Sequence, residues 1–283
     1  MFEFKPIILL NNFCNFRCRH CYVKKSNKEL DIEYIKEFYN KLVITNNATF
    51  LRFAGGEPFL YSKFHELAEF LSSINNPNLE VNFTTNGSCI TDSIISDLKI
   101  IKPNMVKVSL LSIKEEKYRE IIGVDYSLQD TLKNIQRLQE HFKIGINMTI
   151  MKDTLCEVED LLRFCLDNDI HDLFFSQLTP AGSGYVIGDE KLDKEQIKKV
   201  KDLIDSVDKS VLNIRYDDGC SCGFFEDFVL NWDGDVFPCS ALVSYPEFKI
   251  GKYDTNAEVM RKNIRELCKN KTKTCFIEEF VNY

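Results

Sequence analysis

The chain has 283 residues, 36 of them basic and 43 acidic, for a formal charge of −7. That balance excludes a nucleic-acid binder working by broad phosphate neutralisation, and 44% hydrophobic against 28% charged residues excludes a disordered chain. No apolar run approaches the roughly 20 residues of a membrane helix, and the opening MFEFKPIILLNNFCN lacks the charged, long-apolar and small-residue regions of a signal peptide, so a cytoplasmic location without a membrane partner is expected.

In chain order, the first predicted strand is PIILL, residues 6–10, followed at once by NNFCNFRCRHCYVKK. Its cysteines, Cys14, Cys18 and Cys21, are spaced C-x3-C-x2-C on a loop after a strand. The chain has eleven cysteines, and thiols stay reduced in the cytoplasm, so a disulfide framework is the wrong reading. Thiolates are the preferred ligands of iron–sulfur clusters and of zinc. Three of them on a four-iron cluster leave one iron without a protein ligand, open to bind and react. A structural zinc site is the alternative, but it wants a fourth ligand nearby, and His20 is too close to Cys21 in sequence to turn easily onto the same metal.

Amphipathic helices and β-branched strands then alternate. Helix 31–45 leads to strand 48–54 and Gly55-Gly56-Glu57-Pro58; helix 62–74 leads to strand 79–85 and Asn86-Gly87. Helix 92–100, strand 105–111, helix 127–141, strand 144–150, helix 155–168, strand 172–178 and helix 193–208 complete the series. Six strand–helix repeats predict an α/β fold: a partial (β/α)6 TIM-like barrel over residues 1–215, with a small C-terminal cysteine-rich hairpin and helix domain over 216–283. Reactive groups belong at the C-terminal ends of such strands, where the cysteine loop, the Gly-Gly-Glu-Pro turn and Thr85-Asn86 all fall.

In the last part, Cys222 and Cys239 flank two strand-like runs, FVLNW and DVFPC, joined through Gly234. Cys268 and Cys275 follow a helix-like stretch, AEVMRKNIREL, and complete a set of four. Cys220 competes with Cys222, and a structural zinc ribbon is the alternative for the region.

The C-x3-C-x2-C loop after the first strand resembles the signature of radical S-adenosylmethionine (radical SAM) enzymes, and the resemblance runs over residues 5–216. It implies that Cys14, Cys18 and Cys21 hold a [4Fe-4S] cluster whose fourth iron chelates SAM. His20 takes the position whose backbone lies against adenine. Gly55, Gly56 and Glu57 match the family's GGEP site for the methionine ammonium, and Thr85, Asn86, Ser109 and Asn147 stand where relatives bind the ribose and carboxylate of SAM. One departure is Val108-Ser109-Leu110-Leu111-Ser112, where many relatives read VSLDG, which removes any role borrowed for that acid.

The run C-x11-G-x4-C resembles the opening of SPASM and twitch domains, so the resemblance implies one auxiliary [4Fe-4S] cluster on Cys222, Cys239, Cys268 and Cys275, with Cys222 preferred to Cys220 because Gly223 follows it. The activity implied is hydrogen abstraction by a 5′-deoxyadenosyl radical, with a flavodoxin or ferredoxin as electron donor. Maturation of a ribosomally made peptide, by cross-link, thioether or epimerisation, is the leading expectation, and a small-molecule sugar or aminocyclitol dehydrogenase or epimerase the alternative. A non-catalytic scaffold or electron carrier is the third reading. The first strand starts within ten residues of the N-terminus, so a peptide substrate is expected to bind the barrel mouth directly or arrive with a separate leader-peptide recognition protein.

Overall fold

The computed structural model describes residues 5–217 and 228–269. Its elements are β1 (Ile7–Leu9), α1 (Ile32–Phe38), β2 (Phe50–Ala54), α2 (Phe64–Ser73), β3 (Glu80–Thr85), α3 (Asp92–Ile101), β4 (Met105–Ser109), α4 (Glu115–Ile122), α5 (Leu128–Gln139), β5 (Ile144–Ile150), α6 (Glu157–Asp167), β6 (Asp172–Gln177), α7 (Lys194–Asp205), β7 (Asn213–Asp217), β8 (Val229–Leu230), β9 (Asp235–Phe237), β10 (Gly251–Lys252) and α8 (Ala257–Cys268). Short polar side chains start several helices by accepting orphan backbone N–H groups: Asp31 from Glu33, Thr91 from Ile94, Ser127 from Gln129 and Asn256 from Glu258. Asp193 and Gln196 form a reciprocal capping box on α7. The helix expected over 31–45 begins as α1 and continues in a π-helical turn over Tyr39–Val43.

One sheet carries all ten strands in the order β10-β9-β8-β1-β2-β3-β4-β5-β6-β7. Strands β1 to β7 run parallel, joined by helical crossovers, as the repeat pattern requires. Besides the two-residue strand β10, two elements escape the sequence reading. Helix α4 is a single short stretch, EEKYREII, that Gly123 stops in a left-handed turn at φ 67°. Strand β7, NIRYD, lacks an apolar run because it lies at the edge of the sheet, and it adds a seventh parallel strand beyond the six repeats. The expected hairpin is present as β8 and β9, and β8 pairs in parallel with β1, so this hairpin continues the main sheet.

The two faces of the parallel strands are chemically different. Ile8, Phe53, Phe83, Val106, Val108, Ile146, Met148, Leu173 and Phe175 pack into the main hydrophobic core. Alternate residues, among them Thr84, Lys107, Ser109, Asn147, Thr149 and Ser176, line an interior cavity of about 450 Å³. Near β1, Leu9, Val229, Trp232, Phe237, Leu242 and Phe248 form a second apolar cluster.

Lys102, the exposed residue that ends α3, holds a left-handed conformation at φ 56°, where a Cβ is strained. Lys102→Gly is therefore expected to raise stability by up to about 1 kcal/mol in urea unfolding, the relief of strain outweighing glycine's extra chain entropy. A loss of stability would refute this account of the helix end.

Candidate active site

The cysteine loop is pinned from three sides by backbone hydrogen bonds. Gly56 N donates to Asn11 O (2.9 Å) and Glu57 N to Phe13 O (2.8 Å) from the end of β2; Arg17 N donates to Ile122 O (2.8 Å) and Arg19 N to Ile121 O (3.2 Å) at the end of α4; Ser183 N donates to Cys21 O (2.8 Å) from the segment after β6. Lys25 Nζ bonds Phe16 O within the loop. So held, Cys14, Cys18 and Cys21 all line the cavity. Burial raises the Cys14 thiol and pushes Cys18 to about 12, and the neighbouring sulfurs act in the same direction. These are thiols that become thiolates readily only beside added positive charge.

The Gly-Gly-Glu-Pro turn has two different jobs. A Cβ on Gly56 would stand 2.0 Å from Phe13 O, and one on Gly55, at φ 148°, would stand 2.6 Å from Asn11 O. The glycines therefore permit backbone to pack on backbone at the cysteine loop, and both also line the cavity. Glu57 is completely buried and is not part of the cavity wall. Its Oε1 accepts from Thr85 Oγ1 (2.7 Å) and Phe59 N (3.2 Å), and its Oε2 accepts from Asn86 N (2.8 Å). The carboxyl thus ties the end of β2 to the end of β3. Burial raises it to about 7, against these three hydrogen bonds to its ionised form.

Thr85 and Asn86 line the cavity as expected, but their polar atoms also serve the scaffold. Thr85 Oγ1 accepts from Gly87 N (3.0 Å), while Asn86 Nδ2 donates to Cys14 Sγ (3.6 Å) and Asn15 Oδ1 (2.9 Å). Asn86 is thereby a hydrogen-bond donor to one of the three sulfurs. Ser109 and Asn147 are register partners on β4 and β5, and both line the cavity. His20 lines it too; its Nδ1 is shielded from solvent with no hydrogen-bond partner among the described residues. Burial, then Arg19 and Lys25, lowers this imidazole to about 4, so it is neutral at neutral pH.

Of the second cysteine group, Cys220, Cys222 and Cys275 lie outside the described residues. Cys239 precedes the short 3-10 turn Ser240–Leu242, Cys268 is the last residue of α8, and both abut the apolar cluster that also receives Cys21. Ser240 lines the cavity and hydrogen-bonds Tyr22, so the end of the hairpin reaches the first cysteine loop.

A sequence model of the radical SAM superfamily matches residues 8–165, more than half of the chain. The chain belongs to the radical SAM superfamily. It is 29% identical over 208 residues to Fe-coproporphyrin III synthase of Methanosarcina barkeri, covering 71% of this chain and 51% of that protein. It is 24% identical over 253 residues to the antilisterial bacteriocin subtilosin biosynthesis protein AlbA of Bacillus subtilis, covering 86% and 55%. The chain thus spans about half the length of these two curated relatives. Its fold is similar to that of Streptococcus suis SuiB, solved bound to precursor peptide SuiA, with a TM-score of 0.76 at 18% identity, covering 96% of this chain and 68% of that one.

Membership of the radical SAM superfamily implies a [4Fe-4S] cluster and SAM, and the residues present fit them. Three thiols share one cavity wall, burial raises two of them, Cys14 and Cys18, iron supplies positive charge beside them, and His20 Nδ1 is a shielded polar atom with no partner among the described residues. Among the described residues no helix is long and apolar enough to cross a membrane. The sequence reading missed part of the cavity wall of this radical SAM enzyme: Arg52, Lys107, Thr149, Phe174, Ser176 and Arg215. The signal was there. A parallel strand covered on both faces reads as continuously apolar, whereas MVKVS and IGINMTI interrupt every second place with a polar residue or glycine.

Two outcomes are expected. Gly56→Ala should cost at least about 2 kcal/mol in urea unfolding, because the carbonyl it meets belongs to the backbone and cannot swing away. Unchanged stability would show that the two loops are not packed as described. For Glu57, a raised folded-state value means that the native state holds the proton more tightly than the unfolded chain, so its contribution is full below the ordinary 4.5 and lost as pH rises through about 7. The stability of the wild type relative to Glu57→Gln should therefore be greater at about pH 6 than at about pH 8. A difference that does not change with pH would count against the buried, raised carboxyl.

Proposed function

We propose that this radical SAM enzyme matures a ribosomally made peptide in the cytoplasm, forming a cross-link or thioether or epimerising a residue, with electrons from a flavodoxin or ferredoxin. The observation that carries this reading is the likeness to AlbA, a protein named for the biosynthesis of the bacteriocin subtilosin. The likeness in fold to a protein solved with its precursor peptide supports it. Such a peptide would enter at the barrel mouth or be delivered by a separate leader-peptide recognition protein. When bound on this chain's residues, the cluster and SAM would supply reductive radical chemistry that abstracts a hydrogen atom from the substrate.

This chain's own part is to bind, orient and exclude. Cys14, Cys18 and Cys21 would hold the cluster, with Asn86 donating to Cys14 Sγ and so tempering the electron density on that sulfur. The backbone of Gly55 and Gly56, with Ser109 and Asn147 from the facing wall, would hold SAM, and Glu57 would act from behind by fixing Thr85 and Asn86. The cavity walls keep bulk water from the reacting carbon, a matter of positioning more than of acid–base chemistry. Residues 216–283 would form an auxiliary unit, with one further [4Fe-4S] cluster on Cys222, or Cys220 in its place, and Cys239, Cys268 and Cys275. The likeness to Fe-coproporphyrin III synthase supports a second reading, action on a small molecule.

Anaerobically reconstituted protein should carry about eight irons and form 5′-deoxyadenosine from SAM and dithionite. Replacing Cys14, Cys18 and Cys21 together by alanine should leave about four irons and no deoxyadenosine. Iron content unmoved by that change would defeat the assignment of the first cluster, and about four irons in the unaltered protein would defeat the auxiliary one. Conversion of a co-expressed precursor peptide, read as a mass change, separates peptide maturation from the small-molecule reading.

A further inference from the structure

Four cationic residues line the cavity: Lys25 in the cysteine loop and three on the strands. Arg52 comes from β2, Lys107 from β4 and Arg215 from β7, strands that the curvature of the sheet brings around one space. Lys107 is only 9% exposed, and its Nζ sits 3.4 Å from the centre of the Phe174 ring on β6; the Arg215 guanidinium lies 5.5 Å from the same ring. One aromatic face system therefore carries two positive groups. Among the described residues no carboxylate makes an ion pair with Lys107 or Arg215. Asp172, the nearest acid to act on Lys107, is already bonded to Lys143 Nζ (2.7 Å) and Asn213 Nδ2 (2.8 Å). Asp217 is the acid on the cavity wall, one inward place further along β7. Burial, then the charges of Arg52 and Arg215, lowers Lys107 to about 7.

Clustering like charges at a desolvated site costs free energy, and the cost is recovered when an anion sits between them. Guanidinium groups offer paired donors matched to planar or tetrahedral oxyanions. Ser109 and Asn147 lie one inward place beyond Lys107 along their strands, so Lys107 stands deeper than these two polar residues assigned to SAM, while Arg215 is level with them through Phe174. We propose that Arg52, Lys107 and Arg215 form a seat for an anionic group of the substrate, a carboxylate or a phosphate, and so fix which end of that molecule enters the barrel first. This rests on the reading of the cavity as the place where substrate is attacked. A peptide would present an acidic side chain or its terminal carboxylate.

The test is anion binding by the anaerobically reconstituted full-length protein, measured by titration calorimetry with inorganic phosphate in one arm and glutarate in the other, each with and without SAM. Saturable binding is expected, weakened about tenfold or more by Lys107→Met and by Arg215→Met. Lys107→Arg should retain it, and Lys99→Met, which alters an exposed cation on α3 outside the cavity wall, should leave it unchanged. The stronger arm names the anion. The absence of saturable binding in both arms, or binding indifferent to Lys107 and Arg215, would overturn the proposal. Binding that SAM abolishes, with SAM affinity falling in the same variants, would also overturn it by giving the seat to SAM's own carboxylate. Deoxyadenosine formation, followed on the same samples, keeps the two readings apart: its failure removes the radical chemistry, while phosphate or glutarate binding still reports on the seat.

Discussion

The site depends on one close contact, the backbone of the Gly-Gly-Glu-Pro turn laid directly against the backbone of residues 11–13. Only glycine allows it at residue 56, where a Cβ would fall 2.0 Å from Phe13 O. From that contact the rest follows: Gly56 N and Glu57 N donate to the segment between β1 and the first cysteine, and the Glu57 carboxyl then reaches Thr85 and Asn86. Asn86 in turn donates to Cys14 Sγ. Three strand ends are thereby locked to one another through a few backbone and carboxyl hydrogen bonds, and the thiols inherit a fixed place.

The same arrangement sets the electrostatics. Withdrawing the sulfurs of Cys14 and Cys18 and the Glu57 carboxyl from water makes their charged forms costly, and burial is the leading cause of their upward shifts. Across the cavity the opposite sign prevails, with Lys107 lowered by burial and by its cationic neighbours. A cavity whose one wall wants added positive charge and whose other wall wants an anion is organised for two different occupants.

The glycines and the acid of the motif were legible in the sequence, but their local roles were not. At Gly55 and Gly56 the sequence suggests close approach of a ligand; the structure shows that the nearest approach is to the chain itself. For Glu57 the sequence suggests a carboxylate presented at a strand end, and the structure turns it inward, because three donors from Phe59, Thr85 and Asn86 satisfy it there. Strand β7 and helix α4 were invisible because one is a polar edge strand and the other is a short stretch stopped by a glycine.

By itself the sequence determined the class of fold and the first constellation: periodicities of two and 3.6 are local properties of the chain, and three cysteines within one octet need no tertiary information to be noticed. It also carried, unread, the polar alternation of β4 and β5 that marks a cavity wall. The convergence of Arg52, Lys107 and Arg215 was decided by the tertiary structure alone, because residues far apart in the chain meet only when the sheet curves. The pairing of β8 with β1 was decided the same way, since a strand's hydrogen-bonding edge accepts whichever partner the fold brings alongside.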